Sequence, residues 1–256
     1  MRGVAPFWID PNDTTYRFPD VSLALHEPDG LLAIGGSLNP QRLISAYRHG
    51  IFPWYNEDQP ILWWSPDPRA VLFPRKLHVS RSLRKTLSKN PFVVTMDKAF
   101  SQVINACSAP RPTQQGTWIS PEMKAAYLKM HALGHAHSVE CWQDHELVGG
   151  LYGLAFGKVF FGESMFSRVT DASKVAFVHF VQQLQSWGFL MIDCQVESEH
   201  LISLGAELIP RAQFVQMLEN LCYLPADSSL WQFQNEFPQS DDQQTSGSGT
   251  TITGNK

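Results

Sequence analysis

"HAHSVECWQDHELVGGLYGLAFGKVFFGES", residues 135–164, decides the fold. Two apolar-rich runs, 135–143 and 146–157, flank the polar pair Asp144-His145, the punctuation of a β-hairpin. A third run, "KVFFGES", reads as a further strand. The longest helical pattern follows, "ASKVAFVHFVQQLQSW", between Asp171 and Gly188, and leads into one more strand, "FLMIDCQV". A hairpin, a strand, a long helix and a returning strand specify an α/β (α+β) fold, a mixed sheet flanked by helices.

The returning strand contains an anomaly. Asp193 interrupts "FLMIDCQVES", residues 189–198, and Gln195 stands two places on. Strict alternation puts Asp193 and Gln195 on one face and Cys194 on the other. A carboxylate in such a run is costly unless it is paired, hydrogen-bonded or protonated. Asp193 is therefore either half of a structural ion pair or a working group. Glu163 ends "KVFFGES", so two carboxylates leave the strands that bracket one helix. Ligands of α/β folds bind at such sheet openings. The plain alternative for Glu163 is a solvated strand end.

Upstream, Asn39 caps a helix with Pro40 first, "QRLISAYRH" as its body and Gly50 as its stop. "QPILWWSPDPRAVLFP" reads as a linker and one strand. Ser80 caps "RSLRKTLSK", which Asn90-Pro91 ends. "FVVT" is a strand, "KAFSQVINAC" a helix capped by Asp97, and "PEMKAAYLKMHAL" a helix between Ser120 and Gly134. Short helices follow near 198–204 and 211–221. The expected organisation is a small N-terminal domain over 1–65, a catalytic domain over 66–237, and a polar, disordered tail over 238–256.

The chain of 256 residues is 43% hydrophobic with a net charge of −4, which excludes a global basic field for nucleic acid. Its basic residues are concentrated instead. Residues 75–89, "RKLHVSRSLRKTLSK", hold six Lys or Arg and no Asp or Glu. Arg81, Arg84, Lys85 and Lys89 can share one helix face, which suits phosphate binding at one place. An ordinary solvated helix is the alternative. Among eight Trp, Trp54 and Trp118 are plausible stacking surfaces for bases, whereas Trp63 and Trp64 read as core. Four cysteines without C-x-x-C spacing, and no signal-peptide pattern, read as reduced thiols in a cytoplasmic protein. His135 and His137 lack a third partner at ligand spacing, so no metal site is expected. Ser164 lacks the second Gly of a nucleophile elbow, and no phosphate loop occurs.

Together "EPDGLLAIGG", "AYRHGIFPWY", "ILWWSPDPRAVLFP", "HVSRSL", "GTWI", "HAHSVE", "LVGGLYG", "FGESMFSR", "ASK" and "MIDCQV", in this order from Phe18 to Leu218, resemble bacterial leucyl/phenylalanyl-tRNA–protein transferases. The resemblance implies transfer of Leu or Phe, and Met less well, from aminoacyl-tRNA to a protein beginning with Arg or Lys. The product is marked for degradation by the N-end rule. It also implies an acetyltransferase-like (GNAT-type) C-terminal domain, a monomer, no membrane, no metal and no acyl-coenzyme A. By the family pattern Asp193 and Gln195 are the catalytic pair, with Asp193 polarising Gln195, which contacts the amine; direct base action by Asp193 stays open. Glu163 orients the aminoacyl-adenosine end. Trp54, Trp118, Tyr47 and Tyr127 bind the terminal adenosine. Phe160, Met165, Phe180 and Ile192 form the amino-acid pocket, and Arg81, Arg84 and Lys85 bind tRNA. Leu151, where relatives can have Met, and Ser198 and Ser88, where Asn and Lys are frequent, depart from the pattern. Two rival classes remain. An acyl-coenzyme A N-acetyltransferase needs a pyrophosphate loop, for which "QSWGFL" is the nearest match. A non-catalytic RNA-binding module leaves Asp193, Gln195 and Glu163 without a job.

Overall fold

The computed structural model describes residues 5–109, 119–225, 231 and 233. Strand β1 (Phe7–Ile9) and β2 (Leu31–Gly35) lead to helix α1 (Pro40–Arg48). The Asn39 side chain accepts from the Gln41 amide at 3.0 Å, Pro40 fills a first-turn position that needs no donor, and Gly50 at φ +76° follows the last turn. Strands β3 (Phe52–Pro53) and β4 (Leu62–Trp64) complete a four-stranded sheet in the order β1-β2-β4-β3. The chain then changes sheet between Trp64 and Arg69. "WWSPDPRAVL" thus holds two strands, not a linker and one, because β5 (Arg69–Leu72) belongs to the second sheet.

Helix α2 (Arg81–Lys89), capped by Ser80 and ended by left-handed Asn90, precedes β6 (Val93–Met96). Next come α3 (Phe100–Cys107), α4 (Pro121–Ala132), β7 (Ala136–Gln143) and β8 (Glu146–Phe156). Asp144 and His145 both have positive φ, as a tight two-residue hairpin turn requires. Asp97 does not cap α3. It accepts from the Ser138 amide and pairs with His137, and the buried Glu140 carboxylate takes the Lys98 and Ala99 amides instead. Strand β9 (Val159–Ser167) runs past Ser164, and α5 (Ala172–Ser186) crosses to β10 (Met191–Gln195). Helix α6 (Glu199–Ser203), a short strand β11 (Glu207–Ile209) that the sequence reading missed, and α7 (Arg211–Leu221) finish the fold. No helix among the described residues is long and apolar enough to cross a membrane.

The second sheet has seven strands in the order β11-β5-β10-β9-β8-β7-β6. Helices α2 and α5 pack on one face, and α3, α4, α7 and the first sheet's core on the other. Within this sheet β9 and β10 are the parallel pair, joined through α5. Their pairing stops at Asp193↔Phe161. Beyond it β10 follows β5 while β9 follows β8, so the sheet splits. Both strands are bulged at the split. Between Tyr152↔Ser164 and Gly153↔Gly162, Glu163 is the extra residue; between Asp193↔Val71 and Gln195↔Ala70, Cys194 is. The bulges re-aim side chains there. Alternation alone would not have delivered Gln195, which sits at φ +63°.

The first bulge needs Gly153. A Cβ there would lie 2.1 Å from the Phe161 carbonyl oxygen and 2.6 Å from the Phe160 ring. We expect Gly153→Ala to destabilise the protein by more than about 3 kcal/mol, read as a lower urea midpoint, because backbone must move. A midpoint within error of wild type would contradict this reading of the bulge.

Candidate active site

Asp193 is half of an ion pair. Its two carboxylate oxygens accept from Arg69 Nε at 2.8 Å and Nη2 at 2.7 Å, and both side chains are buried. Arg69 also donates to the Gly50 carbonyl at 3.2 Å and lies between the rings of Phe52 and Phe214. Asp193 Oδ1 accepts the backbone N–H of Gln195 at 2.9 Å, which fixes the bulged turn. The side-chain amide of Gln195 points elsewhere and donates to Glu163 Oε1 at 2.7 Å. Asp193 thus sets where Gln195 stands, through the backbone.

Glu163 is the centre of the cluster. It is buried, and its two oxygens lie 2.7 Å from the hydroxyls of Tyr47 and Tyr127. Those hydroxyls in turn lie 2.5 Å apart. Three O···O contacts therefore close a ring through one carboxyl and two phenols. An ionised carboxylate leaves two hydrogens for three contacts; a protonated carboxyl supplies the third. Electrostatics agrees with this count. Burial, with the nearby Asp193 charge adding to it, pushes the Glu163 pKa up from 4.5 to about 7, although hydrogen bonds from Tyr127, Tyr47 and Gln195 oppose the rise. Burial and the Glu163 charge also hold both phenols well above their ordinary range.

The split sheet opens into a cavity of about 1100 Å³. One side is apolar, with Leu151, Phe160, Met165, Phe177 and Ile192. Glu163, Asp193 and Gln195 line its polar part, and Trp54, 46% exposed, lines it with Phe52 and Pro53. The structure gathers Trp54, Phe160, Glu163, Met165, Ile192, Asp193 and Gln195 around one space. Tyr47 and Tyr127 are fully buried and reach that space through Glu163. Phe180 does not line the cavity; it packs edge-on behind Phe160, with ring centroids 4.6 Å apart. Phe177, one turn earlier on α5, takes the lining position. Trp118 lies outside the described residues. Trp63 is core, as expected, while Trp64 is half-buried and donates to the Trp54 carbonyl at 2.6 Å. Arg81, Arg84 and Lys85 are exposed on α2, anchored by buried Leu83. Thr86 of the same helix donates to Asp171 at the cavity rim, so the basic helix stands beside the opening.

Sequence reasoning missed Arg69 and Phe177. Arg69 had a signal: a guanidinium opening the apolar strand "RAVL" is as anomalous as Asp193, and two buried opposite charges call for each other.

Residues 71–219 match the sequence model of leucyl/phenylalanyl-tRNA protein transferase, and residues 36–67 match that of its N-terminal domain. The chain belongs to this family. Relatives named leucyl/phenylalanyl-tRNA–protein transferase include one from Nitrosomonas europaea, 58% identical over 86% of this chain and 94% of its own. Another, from Cellvibrio japonicus, is 58% identical over 87% of this chain and 94% of its own. Solved structures with a distant likeness include L-PGS from Bacillus licheniformis, with a TM-score of 0.37, 10% identity, and cover of 66% of this chain and 54% of that one. A GCN5-related N-acetyltransferase from Kribbella flavida has a TM-score of 0.33, 13% identity, and cover of 64% and 58%.

Two outcomes follow for this transferase-family site. Asp193→Ala leaves Arg69 charged, buried and unpaired, so we expect a stability loss of about 3–5 kcal/mol in urea denaturation. The double variant Arg69→Met/Asp193→Leu should recover most of it; a double variant no more stable than Asp193→Ala would contradict the pairing account. Glu163 destabilises the fold once ionised. The folded protein holds this proton above pH 4.5, where the unfolded chain has released it, so stability falls with rising pH until about pH 7. The full loss is on the order of 3 kcal/mol. Glu163→Gln, which cannot ionise, should therefore gain on wild type between pH 5 and pH 8. An unchanged difference at the two pH values would show that Glu163 has an ordinary pKa.

Proposed function

We propose that the protein transfers leucine or phenylalanine, and methionine less well, from aminoacyl-tRNA to the α-amine of an acceptor beginning with Arg or Lys. The observation that carries this reading is the split between β9 and β10. It offers an apolar pocket, a carboxyl–amide pair and an exposed indole around one cavity, beside a basic helix. In the reaction the amine nitrogen attacks the ester carbonyl carbon, a C–N bond forms, and the bond to the ribose oxygen breaks. The amine loses a proton and the ribose oxygen gains one. Catalysis is mostly alignment, since the donor ester is already activated.

Each side chain has a part in this reading. Glu163, poised near neutrality, accepts the proton that the neutral α-amine, whose conjugate acid has an ordinary pKa of about 8, gives up as its nitrogen attacks. Gln195 bridges Glu163 and the reacting amine. Asp193, engaged by Arg69, holds Gln195 in place. Trp54, together with Trp118, stacks on the terminal adenosine, and Tyr47 and Tyr127 support that end by orienting Glu163. Phe160, Met165 and Ile192, with Leu151 and Phe177, surround the donor side chain, and Phe180 backs them. Arg81, Arg84 and Lys85 contact tRNA phosphates. The domain division at 65/66, a monomeric state and a cytoplasmic setting belong to the same proposal; the four free thiols are consistent with that setting.

The coenzyme A reading has less support. "QSWGFL" closes the C-terminal end of α5, where carbonyls rather than N–H groups face outward, so it offers no pyrophosphate site. A purely RNA-binding role does not account for a carboxyl held near neutrality inside the cavity.

One assay tests the proposal and its selectivity. Labelled Leu-, Phe-, Met-, Ile- and Val-tRNA, and acetyl-coenzyme A, are offered separately to a protein with an N-terminal Arg. We expect transfer from Leu and Phe, less from Met, and none from acetyl-coenzyme A. Ile differs from Leu only by branching at Cβ, so burial area cannot distinguish them, and rejection needs a wall close to Cβ. Equal rates for Ile and Leu would remove that wall from the account. Acetyl transfer without aminoacyl transfer would overturn the function.

A further inference from the structure

Twelve residues past the matched segment, which ends at 219, Trp231 is partly buried and packs against the core on the α5 side of the sheet. Its ring lies flat on His137, with centroids 3.4 Å apart and an 8° angle between the planes. His137 makes a suitable seat: Asp97 holds its Nδ1 at 2.7 Å, and burial lowers its pKa. Trp187 and Phe189 meet the indole edge-on at 5.3 Å and 6.0 Å. Phe160 and Phe180 lie 6.4 Å and 6.5 Å from it, centroid to centroid.

Those contacts matter because Phe160 is the cavity wall. Its ring is already confined by Gly153, where even a Cβ would come within 2.6 Å of it. Phe180 and Trp231 lie behind it. A wall residue in a close-packed interior stands where the atoms behind it allow, and an indole is the largest such support a chain can provide.

We propose that Trp231 is a positioning residue for donor selection: it holds Phe160 and Phe180 forward and so sets the depth of the apolar pocket. The inference rests on the donor-site reading above. Without the indole, the two phenyl rings relax backward and the pocket deepens. A snug Leu side chain then loses contacts, while Phe, with its longer reach, keeps them.

The test compares kcat/KM for Leu-tRNA and Phe-tRNA, with the same N-terminal-Arg acceptor, in wild type and full-length variants. The Leu:Phe ratio cancels any difference in the amount of folded enzyme. Trp231→Ala should shift the ratio toward Phe by about fivefold or more, the scale of one mismatched methylene or less. If Trp231→Ala does not fold, Trp231→Leu should shift it the same way by about twofold. Trp231→Phe should restore the wild-type ratio, and Phe233→Ala, whose ring meets His179, should leave it unchanged. An unchanged ratio in both Trp231→Ala and Trp231→Leu overturns the inference alone. An equal shift in Phe233→Ala also overturns it, by assigning the effect to the segment rather than the indole. A wild-type enzyme that transfers neither donor overturns the donor-site reading, and this inference with it.

Discussion

The guanidinium of Arg69 is the contact on which the site depends. It opens β5, the first strand after the chain has left the smaller sheet, and it engages Asp193 on β10, Gly50 after α1, Phe52 on β3 and Phe214 on α7. One side chain thus ties both sheets and the last helix to the strand that turns away from β9. A buried ion pair is a poor route to stability by itself, because desolvation cancels much of the attraction. Its value here is directional. Two parallel N–H···O bonds fix the carboxylate plane, and that carboxylate fixes the Gln195 amide.

In the proposed reaction, positioning and proton chemistry are divided between two carboxyls in unlike surroundings. Asp193 faces a permanent cation and accepts from Arg69 twice and from the Gln195 backbone once. Glu163 meets two phenols, an amide and a neighbouring negative charge, and its pKa is raised to about 7. A group so poised costs stability, as the hydrogen count around it makes plain. A cavity that placed an ordinary solvated glutamate here would be more stable above neutrality and less able to take a proton from an amine.

Most of the framework was legible in the sequence. The hairpin at Asp144-His145, the caps at Asn39, Ser80 and Ser120, and the βαβ unit around α5 stand where turn chemistry and periodicity put them. The two carboxylates were conspicuous because they interrupt apolar runs. What could not be read were the bulges, which depend on pairing with β5 and β8 rather than on local composition. Alternation placed Gln195 on the right side for the wrong reason. The same limit hid the exchange of Phe180 for Phe177: both lie on an apolar helix, and only the split of the sheet decides which faces the cavity. Asp97 shows the reverse error, since a residue typical of a cap was taken by His137 and Ser138 across the sheet.

In the proposed reaction Glu163, and not Asp193, exchanges the proton. That claim is tested most directly by a chemistry-limited, single-turnover pH profile with Phe-tRNA and an N-terminal-Arg acceptor. Two deprotonations should be visible, that of Glu163 at about 7 and that of the amine at about 8, so log rate should rise with a slope near two below pH 7 and near one between them. A single rise near pH 8 with slope one throughout, identical in wild type and Glu163→Gln, would contradict the account.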